Sequence, residues 1–214
     1  MTLTVLDHPL AQHLLTRLRD VETPPPVFRA LAKQLTILLV LEAARGLPTV
    51  ETSVETPLER TTGRLISPDL VAVPILRAGL GMLEAVTELF PEVSVGYVGL
   101  ERDDVTLKPT SYYEKLPPLK GRHVLLLDPM LATGGSAVAA AASILAKGAA
   151  EVRFVCVVAA PQGVARMAEH QPEVPVFAAA LDRDLNDRAY ILPGLGDFGD
   201  RLFGTEPHTG IPPR

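Results

Sequence analysis

Apolar runs of strand length recur at 70–76, 93–100, 122–128, 152–160 and 174–181, and helix-like segments at 79–89, 134–147 and 162–170 lie among them. This alternation constrains the fold more than any other feature of the chain. Strands joined through helices run parallel, because the crossover carries the chain back to its starting edge, and helices on both faces leave the strands buried. The expectation is an α/β fold with a mostly parallel, doubly wound sheet, whose ligand sits beyond the carboxyl ends of the strands. The 214 residues suffice for a single well-buried domain over 1–214.

Outside the alternation, Leu10, Leu14, Leu15 and Leu18 repeat at helical spacing between Pro9 and Arg19. The triple proline at 24–26 interrupts that helix. Pro26 suits a first helical position before the apolar-periodic stretch Val27 to Arg45, which Gly46 ends, so 1–48 reads as N-terminal helices. Residues 49–66 alternate β-branched and polar side chains with breaks at Pro57 and Gly63, the pattern of a small antiparallel flap. Segment 101–119 is long, charged and broken by Pro109, Pro117 and Pro118, a composition that suits a mobile lid. The Gly-rich C-terminal segment, 182–214, reads as structured.

A hydrophobic share of 47% with 21% charged residues excludes a disordered chain, and a net charge of −5 argues against a general nucleic-acid surface. A polyanionic ligand would then be met by a few placed cations and Mg²⁺. Cys156, the single cysteine, lies within an apolar run, so it reads as a buried strand residue in a reducing cytoplasm. No uninterrupted apolar run reaches membrane-spanning length, and the N-terminus has no basic segment before an apolar core; neither a membrane nor a targeting address is expected. The histidines at 8, 13, 123, 170 and 208 have no ligand spacing, so no protein-held metal is expected.

The segment Val124-Leu-Leu-Leu-Asp128-Pro-Met-Leu-Ala-Thr-Gly-Gly-Ser136 is an apolar strand, an acid and a small-residue loop, followed at once by an Ala-rich helix. A phosphate monoester needs convergent N–H donors, and small residues let the backbone curl closely around it. Thr133, Gly134, Gly135 and Ser136 meet that need. The helix behind them leaves its first N–H groups without intrahelical acceptors, and its dipole adds about 0.3–1 kcal/mol of preference for an anion. Asp128 repels phosphate but suits sugar hydroxyls or a divalent cation. A phosphorylated ribose combines both demands.

Set beside Pro74-Ile-Leu-Arg77-Ala-Gly-Leu-Gly-Met82, Arg102-Asp-Asp-Val-Thr-Leu-Lys-Pro109 and Tyr190-Ile-Leu-Pro-Gly-Leu-Gly-Asp-Phe-Gly-Asp200, this loop makes nearly the whole chain resemble the uracil phosphoribosyltransferase family. The resemblance implies a type I phosphoribosyltransferase fold and a pyrimidine-salvage transferase. Its substrates would be uracil and 5-phospho-α-D-ribose 1-diphosphate (PRPP), its products UMP and diphosphate. Mg²⁺ would enter through the substrate's diphosphate. Carried over by position, Asp128, Pro129, Met130, Leu131, Ala132, Thr133, Gly134, Gly135 and Ser136 look like the segment that binds the ribose 5-phosphate and sugar hydroxyls. Arg77 and Arg102 look like the residues that meet the diphosphate. The backbone at Ile191, Gly196 and Phe198 would pair with uracil, and Asp197 would reach the phosphoribosyl ligand. Asp128, Arg77, Arg102 and Asp197 are thus the expected catalytic set, with Asp197 the nearest candidate for a base at N1 by motif. Tyr190 suits packing on the base and packing in the core equally.

Backbone pairing makes chemical sense, because uracil offers an N3–H donor between two carbonyl acceptors and cytosine the opposite pattern. Mismatched buried groups of this kind discriminate by about 10⁴-fold. The same segment also matches the dinucleotide pattern at Gly194, Gly196 and Gly199, yet only 15 residues follow Gly199, too few to complete a βαβ unit. Two departures from the family stand out: Leu41-Glu42-Ala43-Ala44-Arg45 after the second helix, in a region tied to assembly, and Asp103-Asp104 in the lid. A homodimer or homotetramer is implied by the resemblance. GTP activates some members, and the resemblance brings it in as an effector without carrying the activation over to these residues. The competing readings are an RNA-binding regulator on the same fold, which the negative charge disfavours, and a transferase for another base, which the C-terminal segment disfavours.

Overall fold

The computed structural model describes residues 1–67, 69–102 and 109–205. In chain order the elements are β1 (Leu3–Val5), α1 (Pro9–Arg19), α2 (Pro25–Ala43), β2 (Thr49–Glu55), β3 (Arg60–Ile66), β4 (Leu70–Leu76), α3 (Leu80–Leu89), β5 (Ser94–Val95), β6 (Tyr97–Arg102) and β7 (Pro109–Lys115). They continue with β8 (His123–Leu127), β9 (Met130–Leu131), α4 (Gly135–Ala146), β10 (Glu151–Ala159), α5 (Pro161–His170), β11 (Val176–Leu181), β12 (Asp184–Leu185), β13 (Ile191–Leu192) and α6 (Phe198–Phe203).

The main sheet has the order β1-β11-β10-β8-β4-β6-β7, and its pairings are parallel except for β6 with β7. Strand periodicity sorts its side chains between two layers. Leu70 and Ala72 of β4, Leu125 and Leu127 of β8, and Val155 and Val157 of β10 pack with α1, α2 and α3. Val71, Val73, Val124, Leu126, Phe154 and Cys156 face the other way, against Ala137, Ala140, Ala141 and Ile144 of α4 and Met167 of α5. The spacing of those α4 residues at i, i+3, i+4 and i+7 makes one small-residue stripe, which lets the helix lie close to the sheet.

The α/β expectation therefore holds, and its differences in detail have physical causes. The second helix starts at Pro25, one residue before the expected Pro26, with Pro24 as its N-cap, since proline costs nothing where a helix has no acceptor for the N–H. It stops at Ala43, short of Arg45, where Arg153 Nη1 donates to Ala43 O and, at 2.8 Å, to Arg45 O. A buried cation thus caps the helix's last carbonyls. The run at 93–100 is cut at Gly96 into β5 and β6. Residues 49–66 form the β2–β3 antiparallel pair, in register from Thr49–Ile66 to Glu55–Arg60 and largely exposed.

Much of the segment expected to be a lid is strand. The end of β6 and β7 pair from Tyr97–Lys115 to Arg102–Pro109, while residues 103–108, the centre of that segment, lie outside the described residues. Four short elements carried no usable period: β1, a three-residue strand beside β11, the paired strands β12 and β13, and the six-residue α6. The end of the expected base-binding tail, 206–214, also lies outside the described residues.

Candidate active site

The loop after β8 is laced to β10 before it turns into α4. Asp128 N donates to Val155 O at 3.2 Å, Pro129 O accepts from Val157 N and Val158 N at 2.9 and 3.1 Å, and Leu131 O accepts from Ala160 N at 2.9 Å. These bonds hold Pro129 and Leu131 inward. Gly134, the N-cap of α4, sits at φ 77°, and a Cβ there would come within 3.0 Å of Gly163 O and 3.2 Å of Arg166 Cβ. Both the left-handed turn and the closeness of α5 demand glycine. The first helical residues, Gly135 and Ser136, then bring the free N–H end of a twelve-residue helix to the carboxyl edge of the sheet.

Asp128 stands at the start of this loop with its Oδ1 accepting from Met130 N at 3.2 Å. Close packing around the carboxyl withholds solvation from its charged form and pushes its pKa up to about 7, against the opposing pull of the Met130 N–H. The same packing, together with the Asp128 charge, raises the buried Cys156 thiol well above its ordinary value. Cys156 is the inert strand residue its sequence context suggests.

The second component is the loop around β13. Asn186 N donates to Tyr190 O at 2.9 Å, so Leu185 and Ile191 face each other as a non-hydrogen-bonded pair of the β12–β13 ladder. The N–H and C=O of Ile191 therefore turn away from β12, while its side chain is buried. Phe198 also lines the site, and its ring is buried, edge-on to Phe28 with centroids 5.1 Å apart. Asp197 caps α6 by accepting from Asp200 N at 2.9 Å.

The two components meet in one cavity of about 360 Å³, lined by Asp128, Met130 and Ala132 from the first, by Tyr190, Ile191, Gly196, Asp197 and Phe198 from the second, and by Ala78 from the turn after β4. Arg77, next to Ala78, is 64% exposed, and its Nη2 lies 3.6 Å from Asp200 Oδ1. Arg102 is placed by its backbone, at the end of β6. Because β4 and β6 are parallel neighbours, with Leu76 opposite Gly99, both arginines rise from the same edge of the sheet. Thr133, Gly134, Gly135 and Ser136 do not line the cavity; they follow Ala132, which does, and lead into α4.

Several contributors carry no local signal. Arg188 and Ala189 line the cavity, and Asp200 both faces Arg77 and accepts from Thr205 Oγ1 at 2.6 Å. Arg201 donates to Leu195 O at 2.8 Å, to Asp20 O at 2.6 Å and to Leu18 O, with its guanidinium 4.5 Å above the Phe28 ring. Neither spacing nor composition distinguishes Asp200 and Arg201 from surface charges, because Arg77, which faces the first, and Leu18 and Asp20, which accept from the second, lie far away in sequence. His8 accepts from Leu10 N at 3.1 Å as the cap of α1, and His123 pairs with Glu151 at 3.1 Å, so both serve structure.

Among the described residues no group of three or more His, Cys, Asp or Glu converges as a metal cage. The two carboxylates that line the cavity, Asp128 and Asp197, suit a hard cation such as Mg²⁺ that keeps water and ligand oxygens around it. Nor, among the described residues, is any helix long and apolar enough to cross a membrane.

The family model described as uracil phosphoribosyltransferase matches residues 5–205. A uracil phosphoribosyltransferase of Dictyoglomus thermophilum is 50% identical over 204 residues, which cover 94% of this chain and 99% of that protein. One of Fervidobacterium nodosum is 48% identical over 206 residues, covering 95% of this chain and 100% of its own. A solved structure from Aquifex aeolicus superposes with a TM-score of 0.91 at 40% identity, over 94% of this chain and 98% of that one. With the family model spanning nearly all of the strands and loops that build the cavity, the chain belongs to the uracil phosphoribosyltransferase family.

Proposed function

We propose that the protein transfers the phosphoribosyl group of PRPP to N1 of uracil, giving UMP and diphosphate. The observation that supports this reading is the meeting, in one cavity of about 360 Å³, of Asp128, Met130 and Ala132 from the loop before α4 with Tyr190, Ile191, Gly196, Asp197 and Phe198 from the C-terminal segment. In the reaction the C1–O bond to diphosphate breaks, the C1–N1 bond forms, and the N1 proton leaves. The ribose passes through an oxocarbenium-like state, so the protein acts chiefly by holding both reactants in line and by stabilising charge.

The amides from Thr133 to Ser136 hold the 5-phosphate, and Asp128 receives the sugar hydroxyls. Arg77 and Arg102 meet the diphosphate as its negative charge grows; a charged hydrogen bond that tightens in this way lowers the barrier by about 1.5–3 kcal/mol. Mg²⁺, carried in on the diphosphate, supplies charge neutralisation. The main chain of Ile191, Gly196 and Phe198 reads the uracil edge. Asp197 has one carboxylate oxygen already engaged as a helix cap, which supports a ligand-positioning role over that of a base. The exposed apolar residues Val50, Val54 and Leu65 on the β2–β3 pair support assembly into a homodimer or homotetramer. The buried single cysteine fits a reducing cytoplasm.

Labelled uracil, PRPP and Mg²⁺ with the purified protein test the reading, with cytosine and hypoxanthine as competing bases. UMP from uracil alone is expected. No UMP, or equal turnover of all three bases, overturns the assignment.

A further inference from the structure

Gly194 lies between the base-reading residues Ile191 and Gly196, and both of its main-chain groups are taken by one ion pair. Asp182 Oδ2 accepts from Gly194 N at 3.0 Å, and Arg19 Nη1 donates to Gly194 O at 2.6 Å. The pair is itself a two-pronged fork, with Arg19 Nη1 and Nη2 on Asp182 Oδ2 and Oδ1 at 2.8 and 2.6 Å. It is withdrawn from water, the Asp182 side chain being 5% and that of Arg19 23% exposed. Asp182 is anchored in turn, since its N–H donates to Ala159 O at 2.8 Å at the end of β10, and Arg19 is the last residue of α1.

The peptide held this way has little freedom of its own. Gly194 sits at φ 59°, and a Cβ there would fall 2.1 Å from Ile191 O, so the turn folds tightly back on the residue that presents its main chain to the cavity. A rotation of the 193–194 or 194–195 peptide would displace Ile191 and Gly196 relative to each other. Their separation matters because two main-chain positions must meet two edge atoms of one ring at once.

We infer that Arg19 and Asp182 are positioning residues that set the spacing of the base-reading main chain, and with it the affinity and selectivity for the pyrimidine edge. The inference rests on the uracil-transfer reading above and deepens it. A planar guanidinium is required here, because one group must reach a carboxylate through two nitrogens and a carbonyl as well; an ammonium in its place keeps the charge and loses the fork.

Steady-state kinetics of Arg19→Lys and Asp182→Asn, each with varied uracil, varied PRPP and cytosine as competitor, test it. In both variants KM for uracil should rise about ten- to a hundred-fold while KM for PRPP stays within about two-fold, and the preference for uracil over cytosine should fall. The double variant should be no worse than the poorer single one, since either change opens the same clamp. Arg19→Lys retains the ion pair's charge, and a thermal melt of each variant separates folding from positioning. Equal rises in both KM values, or a lower Tm with unchanged KM for uracil and unchanged selectivity, would overturn the clamp. Absence of UMP formation by the unaltered protein would instead overturn the reading on which it rests.

Discussion

Asp128 answers to two opposed demands at the scale of a single residue. Its place at the strand end makes it face the cavity, whereas the packing that builds the loop withholds the water its charge needs, and the carboxyl is pushed up to about 7. The folded chain therefore holds this proton at pH values where the unfolded chain, at its ordinary 3.8, has lost it. The resulting contribution to stability is complete below the unfolded value and is lost as the pH rises through about 7. Asp128→Asn is neutral throughout, so between pH 5 and pH 8 the ligand-free variant should gain stability relative to the parent. Urea denaturation at the two pH values measures this, and parallel pH slopes would show that the carboxyl is not so enclosed. The same variant should chiefly lower turnover and leave uracil binding nearly unchanged, because the partner proposed for it is the sugar. The place of Asp128 at the strand end was legible in a strand–acid–small-loop pattern, but its protonation was not. Desolvation depends on every atom around the carboxyl, including those of β10, more than twenty residues downstream.

Among the elements, the junction of β9 and α4 is where backbone conformation and ligand chemistry meet. Gly134 supplies a left-handed residue at the helix start with α5 pressed against it. Gly134→Ala should cost about 1–2 kcal/mol from the left-handed conformation alone, before the contact at 3.0 Å with Gly163 O is relieved. Differential scanning calorimetry should show the lower Tm, and kinetics a raised KM for PRPP with KM for uracil little changed, since the proposed base-reading segment is the other loop. Here the sequence was informative, because Thr-Gly-Gly-Ser after an apolar strand is a local arrangement whose physics is contained within a few residues. The opposite case is the segment 101–119. Its prolines and charges suggest a loop, yet Pro109–Lys115 pairs with β6 on the outer edge of the sheet, where a proline without an N–H is tolerated.

At the scale of the whole molecule, the parallel sheet carries the site on its carboxyl edge and the stability in its middle. Leu126 of β8 is fully buried on the α4–α5 side, one strand position before the residue that leads into Asp128. Leu126→Ala should lower stability by about 2–5 kcal/mol through the lost burial and the cavity left behind, while both KM values hold below the new melting point. A shift in either KM at low temperature would show that the core and the site are mechanically linked. Much of this architecture was visible in advance. Apolar periodicity places the strands of the core, and the topology of α/β sheets then sends Arg77, Arg102 and Asp128 to one edge without further information.

What the sequence by itself determined is whatever depends on near neighbours: the alternation of strand and helix, the small-residue loop at a helix start, and the family to which the whole belongs. The tertiary structure alone decided which distant charges come together. Arg19 and Asp182 stand 163 residues apart, and Arg201 reaches Leu18 across 183. No local preference encodes such pairs. The first exists because packing α1 against the sheet brings a guanidinium and a carboxylate out of water together, where each needs the other's hydrogen bonds and both hold Gly194.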